Sequence, residues 1–389
     1  MSSDRQHALL SPSSAARWLK CAKSARLEET FPDEDTIHTK TGTLAHAVAE
    51  LYLTKQFTRM RKTTFDKKLA ELKKDPLFDE DMCRHAESYR DYIKHLYEDI
   101  NQGSKPIVEI ERAIDLSSVV PESFGTCDCV LISEPHMEVI DYKYGQGVAV
   151  EAKDNPQLLL YALGALLLFD PVYTIETIGT TIYQPRLGKV DRVEITAQDL
   201  RYWAETIKPQ ADLAFKGEGQ YMPGEDTCRF CKAKSVCRAR AEENLKLAEL
   251  DFRDPDLMSL GEIAEILPKL KDLVAWARDV EDYALKEARD HDKTVPGYKL
   301  VEGRSIRRYA SEIGAAKALE QAGYAPDVYL ETKLLGITAL EKALGADEFS
   351  RVLDGFIDKP AGKPTLVPES DTRPAISSLD QAIKDFKEI

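Results

Sequence analysis

Residues 125–161 read GTCDCVLISEPHMEVIDYKYGQGVAVEAKDNPQLLLY, and this stretch decides the fold. Two runs rich in apolar and β-branched residues, 126–133 and 137–143, predict neighbouring strands because only the short turn at 134–136 separates them. The largely apolar run that follows, 155–169, is long enough to form a helix. The stretch therefore predicts two paired strands followed directly by a helix.

The flanking sequence extends this unit in both directions. The segment SPSS at 11–14 and the triplet TGT at 41–43 are typical of helix N-termini. We expect further helices over 15–21, 44–52, 81–101 and 200–216, an exposed helix and loop over 58–80, strands over 106–116 and 174–184, and a short extended segment from 192. Helices, a β-meander, a helix and then a strand indicate an α/β core wrapped by helices.

Length and composition bound the domain organisation. The chain has 389 residues, a net charge of -14 and 43% hydrophobic residues, which provides for a large core and argues against a broadly basic surface. A local basic groove would still allow nucleic-acid binding. We expect a first domain over 1–245 and a mostly helical C-terminal region over 246–389. The longest apolar run, 158–169, is too short to span a bilayer, and the polar N-terminus resembles no signal peptide, so we expect a cytoplasmic protein.

Two aspartates and a lysine form the first chemical pattern. Asp128 and Asp141 lie near the ends of adjacent predicted strands, and because such strands are about 4.8 Å apart, both carboxylates can share one Mg²⁺ or Mn²⁺ ion. Lys143 is two residues from Asp141 and so points to the same face of its strand. This arrangement suits hydrolysis of a phosphodiester, in which a metal activates water and an ammonium offsets developing charge. The alternative is a pair of strand-edge aspartates beside a solvated lysine.

Further polar residues accompany this pattern. Gln157 and Tyr161 are four apart and therefore share one face of the predicted helix, where they could hold a phosphate or a metal-bound water. His46 lies on an upstream helix and is a candidate metal ligand. The alternatives are an ordinary polar spot on a core helix and a packed histidine. Glu109 and Glu111 are also near the site in sequence, and a solvent-facing role suits them equally well.

These residues resemble the RecB-like branch of the PD-(D/E)xK nuclease superfamily. The resemblance covers about residues 10–240 and consists of a helix histidine, a Gly-x-x-Asp at 125–128, an acid-x-Lys at 141–143 and a Gln-x-x-x-Tyr at 157–161. It implies a restriction-endonuclease-like core, a mixed central sheet flanked by helices. It also implies that His46, Asp128 and Asp141 bind the metal and that Lys143 assists catalysis. The one departure is Asp141, where glutamate is frequent.

Four of the seven cysteines form the second pattern. Cys228, Cys231 and Cys237 have the spacing C-x2-C-x5-C, and Cys21 stands alone near the N-terminus. Four thiolates suit zinc or an iron–sulfur cluster, and the alternative is a set of unrelated buried thiols. The remaining cysteines are interpreted as small core residues: Cys83, Cys127 and Cys129.

The cysteine arrangement is similar to that of the iron–sulfur nucleases of the same superfamily, namely the AddB-type nuclease domain and the CRISPR-associated RecB-like exonucleases. The similarity implies a 4Fe-4S cluster that staples the two ends of the nuclease fold. The choice of iron over zinc depends on this similarity, because spacing alone does not separate them. Basic residues surround the cysteines and are either phosphate contacts or a solvated face: Arg229, Lys232, Lys234, Arg238 and Arg240.

The combined resemblance implies a phage-type exonuclease that acts in a bacterial host in DNA recombination, replication or end resection. Its expected partners are linear DNA ends, single- or double-stranded, together with a phage single-strand annealing or binding protein, and a homo-oligomer stays open. The C-terminal region 246–389 is a candidate DNA- or partner-binding region. The alternative is a catalytically inactive or endonucleolytic DNA-binding scaffold of the same fold. A zinc-stapled structural protein is a third hypothesis.

Overall fold

The computed structural model divides the chain into two units, Met1–Val301 and Glu302–Ile389. The first contains a sheet and ten helices among its described residues, and the second contains four helices among its own. No described helix combines the length and the apolar character that crossing a membrane requires. The structure describes residues 8–32, 36–101, 105–246, 259–301, 311–330, 335–353, 356–357 and 371.

The first unit is built on a five-stranded mixed sheet whose strands lie in chain order. The strands are β1 (Ile107–Asp115), β2 (Phe124–Ser133), β3 (His136–Tyr142), β4 (Thr177–Gln184) and β5 (Lys189–Thr196). Neighbouring strands are antiparallel except β3 and β4, which are parallel. A parallel pair needs a crossover, and a helix between β3 and β4 provides it. The predicted α/β class is therefore confirmed as a mixed sheet flanked by helices.

Helices cover both faces of this sheet. The helices of the first unit are α1 (Ala15–Trp18), α2 (Ser24–Glu28), α3 (Ile37–Phe57), α4 (Lys62–Leu72), α5 (Glu80–Asp99), α6 (Pro156–Phe169), α7 (Ala197–Lys216), α8 (Glu225–Cys228), α9 (Arg238–Leu245) and α10 (Leu260–Asp290). The second unit contains α11 (Glu312–Gln321), α12 (Pro326–Tyr329), α13 (Ile337–Leu344) and α14 (Ala346–Leu353). Its described residues are mainly helical.

Two apolar layers enclose the sheet. One lies under α6 and α7 and contains Val130 and Val139, and the other lies under α3 and α5 and contains Leu131 and Ile140. This division follows from the alternation of side chains along each strand. Because both faces are covered, β2 and β3 are largely apolar on both sides.

Helix α3 begins earlier than the sequence indicates. The triplet at 41–43 predicts its N-terminus, but the helix starts at Ile37, where the Thr36 side chain accepts a hydrogen bond from the backbone of Thr39. Thr41 and Thr43 instead donate their hydroxyls to backbone carbonyls one turn back inside the helix. A hydroxyl residue can cap a helix or bond back into it, and local sequence does not decide between the two.

Helix α10 belongs to the first unit, although the sequence places the domain boundary near 245. Arg240 of α9 is buried and pairs with Asp272 at 2.8 Å and with Asp279 at 2.6 Å, both on α10. Lys234 also pairs with Asp279, at 2.6 Å. These ion pairs join α10 to the cysteine-bearing segment, so the units divide after Val301.

A buried ion pair in the sheet gives a stability prediction. Glu138 is fully buried on β3 and accepts hydrogen bonds from Arg192 of β5 and, at 2.7 Å, from His136. We expect Arg192→Ala to lower the free energy of unfolding by about 3 kcal/mol near neutral pH, because the variant leaves a buried carboxylate without its cation. Chemical denaturation of both proteins measures the difference.

The effect of Arg192→Ala should depend on pH. Burial raises the pKa of Glu138, but its bonds to His136 and Arg192 lower the pKa by more than burial raises it. The net pKa therefore lies below the ordinary value of 4.5. A carboxylate with a lowered folded-state pKa contributes stability above its unfolded pKa and loses it as pH falls through the folded value. The deficit of the variant should therefore shrink in acid, and a deficit independent of pH would contradict the ion-pair explanation.

A matched control for this variant is Arg201→Ala. Arg201 pairs with Asp170 at 2.8 Å, but both side chains are largely exposed. Exposed pairs contribute about 0–1 kcal/mol, so this control should change stability little.

Candidate functional site

The candidate site lies where β2 and β3 separate. Their ladder ends at the pair Cys129 and Ile140, one residue short of Asp128 and Asp141. Beyond that point the carboxylate of Asp128 accepts a hydrogen bond from the backbone N–H of Tyr142 at 2.7 Å. A side chain thus replaces a ladder bond, which holds Asp128 beside the strand that carries Asp141.

Strand β2 changes faces at Asp128. Cys127 packs in the layer under α6, whereas Cys129 packs in the layer under α3 and α5. Residues two apart in a regular strand share a face, so the alternation is broken at the aspartate between them. Cys127 and Cys129 are buried, as predicted for small core residues.

Asp141, Lys143, Gln157 and Tyr161 form one hydrogen-bonded network. Lys143 Nζ lies 3.0 Å from Asp141 Oδ2 and donates to Gln157 Oε1 at 3.0 Å. Gln157 Nε2 donates to Asp141 Oδ1 at 3.2 Å and to the Tyr161 hydroxyl at 3.3 Å. The structure therefore brings together the two motifs that the sequence separates by a loop. Gln157 fixes both the lysine and the aspartate.

The start of α6 positions Gln157 and Tyr161. The side chain of Asn155 caps the helix by accepting from the backbone N–H groups of Gln157 and Leu158 at 3.1 and 3.2 Å. Pro156 follows at the first helical position, where its lack of an N–H costs nothing. These residues fix where α6 begins, and the spacing of four then places both polar side chains toward β3.

His46 reaches the site from α3. Its Nδ1 lies 3.3 Å from Asp128 Oδ1, and its ring packs edge-on against Tyr142 with a centroid distance of 5.3 Å. Burial lowers the pKa of His46, but the carboxylates of Asp128 and Asp141 more than offset this, so the pKa is raised. The predicted histidine is therefore in contact with Asp128.

Glu111 of β1 is a member of the site that the sequence did not single out from Glu109. Ligand atoms of His46, Glu111 and Asp128 all lie within 4.8 Å of one another. Burial raises the pKa of Glu111 to about 7, and the charge of Asp128 adds to that rise. Glu109 instead lies 3.6 Å from Arg112. The break in side-chain alternation along β1 separates the two glutamates. No local pattern in the sequence shows this break.

The donor set fits a divalent metal ion. It contains one imidazole and carboxylates. Mn²⁺ accepts both kinds of ligand, and Mg²⁺ uses the carboxylates. Asp141 is 3% exposed, and its Oδ2 is paired with the Lys143 ammonium at 3.0 Å. Burial raises the pKa of Asp141. The charge of Lys143 lowers this pKa, and the charge of Asp128 raises it, so that the net pKa is raised. A bound cation would compensate these crowded, desolvated carboxylates, whose ionisation is otherwise disfavoured.

 

The four candidate cluster cysteines converge from distant parts of the chain. Cys21 precedes the sheet, and Cys228 follows it 207 positions later. Cys21, Cys228, Cys231 and Cys237 nevertheless line one small cavity. Cys21 and Cys228 accept hydrogen bonds from the backbone N–H groups of Met222 and Gly224, each at 3.4 Å.

The environment of these thiols suits a bound cation. Burial raises the pKa of Cys231 to about 12, and burial also raises that of Cys21, with Cys228 and Cys237 adding to the rise. Four clustered thiols form the kind of donor set that thiolate-binding metals use, because a bound cation compensates the charges of the thiolates. Cys83 lies outside this group, as predicted.

The basic residues around the cysteines are only partly available for phosphate contact. Arg240 is buried in its ion pairs with α10, and Lys234 pairs with Asp279. The sequence leaves phosphate contact and a solvated face open for five cations, and these two instead each pair with a nearby carboxylate. The other three side chains are exposed: Arg229, Lys232 and Arg238.

The fold and this set of side chains define an α/β protein with a candidate divalent-metal site where two inner strands of a mixed sheet separate. Residues 7–374 match the model of a family described as a protein of unknown function (DUF2800), and the chain belongs to that family. Among solved structures, the chain is similar to one titled "Crystal structure of SSO0001", at 17% identity over 57% of this chain and 95% of that chain, with a TM-score of 0.24. A similarity at that TM-score carries no argument about this chain.

Proposed function

We propose that this protein is a metal-dependent deoxyribonuclease of the RecB-like PD-(D/E)xK type, acting on DNA ends. The observation that carries the proposal is the convergence of His46, Asp128, Asp141 and Lys143 from α3, β2 and β3, with Gln157 bonded to the last two. Phosphodiester hydrolysis needs this combination of metal ligands and a nearby ammonium. A role in phage DNA recombination, replication or end resection depends on the sequence resemblance alone.

The side chains divide the chemical work. A divalent ion, when bound, would lower the pKa of a water and neutralise charge on a phosphate oxygen. Asp128 and Asp141 would hold the ion together with His46. Lys143 is kept near the reacting phosphate by Asp141 and Gln157, where its ammonium can stabilise negative charge or orient the water.

The sheet supports the finer assignment of the fold. Three antiparallel strands are followed by a crossover helix, α6, and by a fourth strand parallel to the third. We assign this arrangement to the PD-(D/E)xK core because the paired acids lie on its second and third strands and the Gln-x-x-x-Tyr motif on the crossover helix.

We further propose that the four cysteines hold a structural 4Fe-4S cluster. The four described sulfurs line one cavity, and four thiolates suit either zinc or an iron–sulfur cluster. The choice of the cluster depends on the sequence resemblance.

The test is digestion of end-labelled linear DNA, single- and double-stranded, beside a closed circle. The full chain is purified anaerobically and assayed with Mg²⁺ or Mn²⁺ and with EDTA. We expect metal-dependent loss of linear DNA while the circle stays intact, and the labelled end gives the polarity.

Other outcomes separate the competing functions. Cutting of the closed circle would identify an endonuclease and refute the requirement for ends. Retained DNA binding without cutting of any substrate, at several metal concentrations, would favour the inactive scaffold. Absence of both DNA binding and DNA cutting would refute the nuclease and the scaffold alike.

A further inference from the structure

We propose that Glu111 is a ligand of the divalent metal, beside His46 and Asp128, and that the ion lies on the α3 side of Asp128. This inference takes the site to be the metal centre of the proposed function and adds a residue outside its sequence motifs. His46, Glu111 and Asp128 are the one group of three such ligand residues found within 4.8 Å in the part of the chain that the structure describes.

Strand β1 delivers Glu111 by the same irregularity that turns Asp128. Ile110 packs in the layer under α3 and α5, whereas Arg112 lies over the ring of Phe169 on the α6 side. Alternation is therefore broken at Glu111, whose φ of 49° is in the left-handed region.

The two irregularities face each other across the sheet. β1 and β2 pair at Ile110–Cys129 and at Arg112–Cys127, and the ladder skips the position between these pairs, which Glu111 and Asp128 occupy. Because both strands change faces at this level, the two carboxylates meet beside the α3 histidine. A regular pair of strands would not place both of them within reach of it.

A second buried acceptor adjoins the group. Asp141 is almost fully buried, and its Oδ2 is paired with the Lys143 ammonium at 3.0 Å. Its other oxygen, Oδ1, is held by Gln157 at 3.2 Å. Asp141 is not one of the three residues whose ligand atoms lie within 4.8 Å of one another, and its network keeps Lys143 beside them.

The donor set predicts which metal binds more tightly. Mg²⁺ prefers oxygen ligands and keeps several waters, whereas Mn²⁺ accepts an imidazole among carboxylates and binds more tightly to mixed sites. We therefore expect Mn²⁺ to bind more tightly than Mg²⁺.

The test is calorimetric titration of the metal-stripped, full-length protein with Mn²⁺. Glu111→Gln keeps the shape of the side chain and removes its charge, so we expect at least about tenfold weaker binding. The matched control is Glu109→Gln on the same strand, which should bind within about twofold of wild type. Wild-type affinity in Glu111→Gln, or an equal loss in both variants, would overturn the inference.

Two further readouts keep the test independent of folding and of cutting. Melting of the metal-free variants reports whether they fold, and electron paramagnetic resonance of free Mn²⁺ gives the bound fraction without any substrate. If Glu111→Gln does not fold, Glu111→Asp, which retains the charge on a shorter side chain, replaces it and should also weaken binding. Tight Mn²⁺ binding that needs Glu111 in a protein that cuts no DNA would sustain this inference and refute the nuclease. Absence of Mn²⁺ binding to wild type would refute the inference itself.

Discussion

Asp141→Ala is expected to reduce metal-dependent cutting of linear DNA by about 10³-fold or more, because metal ligation contributes several kcal/mol to the reaction and each 1.4 kcal/mol is about tenfold. Asp141 has two roles in the proposed site, since its carboxylate is a proposed ligand of the ion and also holds Lys143 at 3.0 Å. Initial rates on end-labelled DNA with Mg²⁺ or Mn²⁺ measure the loss.

The variant should keep its fold and its DNA binding. Lys143 remains bonded to Gln157, and loss of a buried carboxylate with a raised pKa removes an unfavourable charge. The matched control is Asp212→Ala, an exposed aspartate of α7, which should cut at the wild-type rate. Cutting by Asp141→Ala at the wild-type rate would exclude this aspartate from the mechanism.

Cys231→Ala is expected to lose most of the iron bound to the anaerobically purified protein and to lower its melting temperature by about 10 °C or more, because structural metal sites contribute directly to folding. The cluster would join Cys21 near the N-terminus to a segment 200 residues later, so losing one ligand releases a long-range connection. Iron analysis, absorbance near about 400 nm and thermal melting measure the three effects.

Protein contacts also join these two parts of the chain, and they limit the expected damage. Buried Glu28 accepts from Arg17 at 2.7 Å and from the backbone N–H of Lys232 at 2.8 Å. The variant should therefore be destabilised without being fully unfolded at low temperature. Cys83→Ala is the matched control, because this half-buried thiol lies outside the cavity. Zinc in place of iron would refute the cluster, and unchanged melting would refute its structural role.

The sheet and its crossover helix could be predicted because their signals are local. Apolar runs, the turn at 134–136 and the cap formed by Asn155 and Pro156 each act within a few residues, and the elements appear within about three residues of their expected ends. The contact of Asp141 with Lys143 was also predictable, because a spacing of two fixes a shared strand face.

Other features depend on contacts between distant residues. Lys234 and Arg240 look like a basic surface in sequence, but the aspartates that neutralise them lie on α10, more than 30 residues later. The same ion pairs move the division between units from near 245 to Val301. Local composition does not show that the aspartates of α10 will pair with these basic residues.

The sequence by itself determined the α/β class, the order of the elements and the residues of the acid-x-Lys and Gln-x-x-x-Tyr motifs, because propensity and periodicity act along the chain. Only the tertiary structure decided that Glu111 joins His46 and Asp128, and that Cys21 meets the later cysteines. The physical reason is that strand pairing and helix packing set these distances. A break in alternation at one residue redirects its side chain, and its consequence appears only once the neighbouring strand and helix are in place.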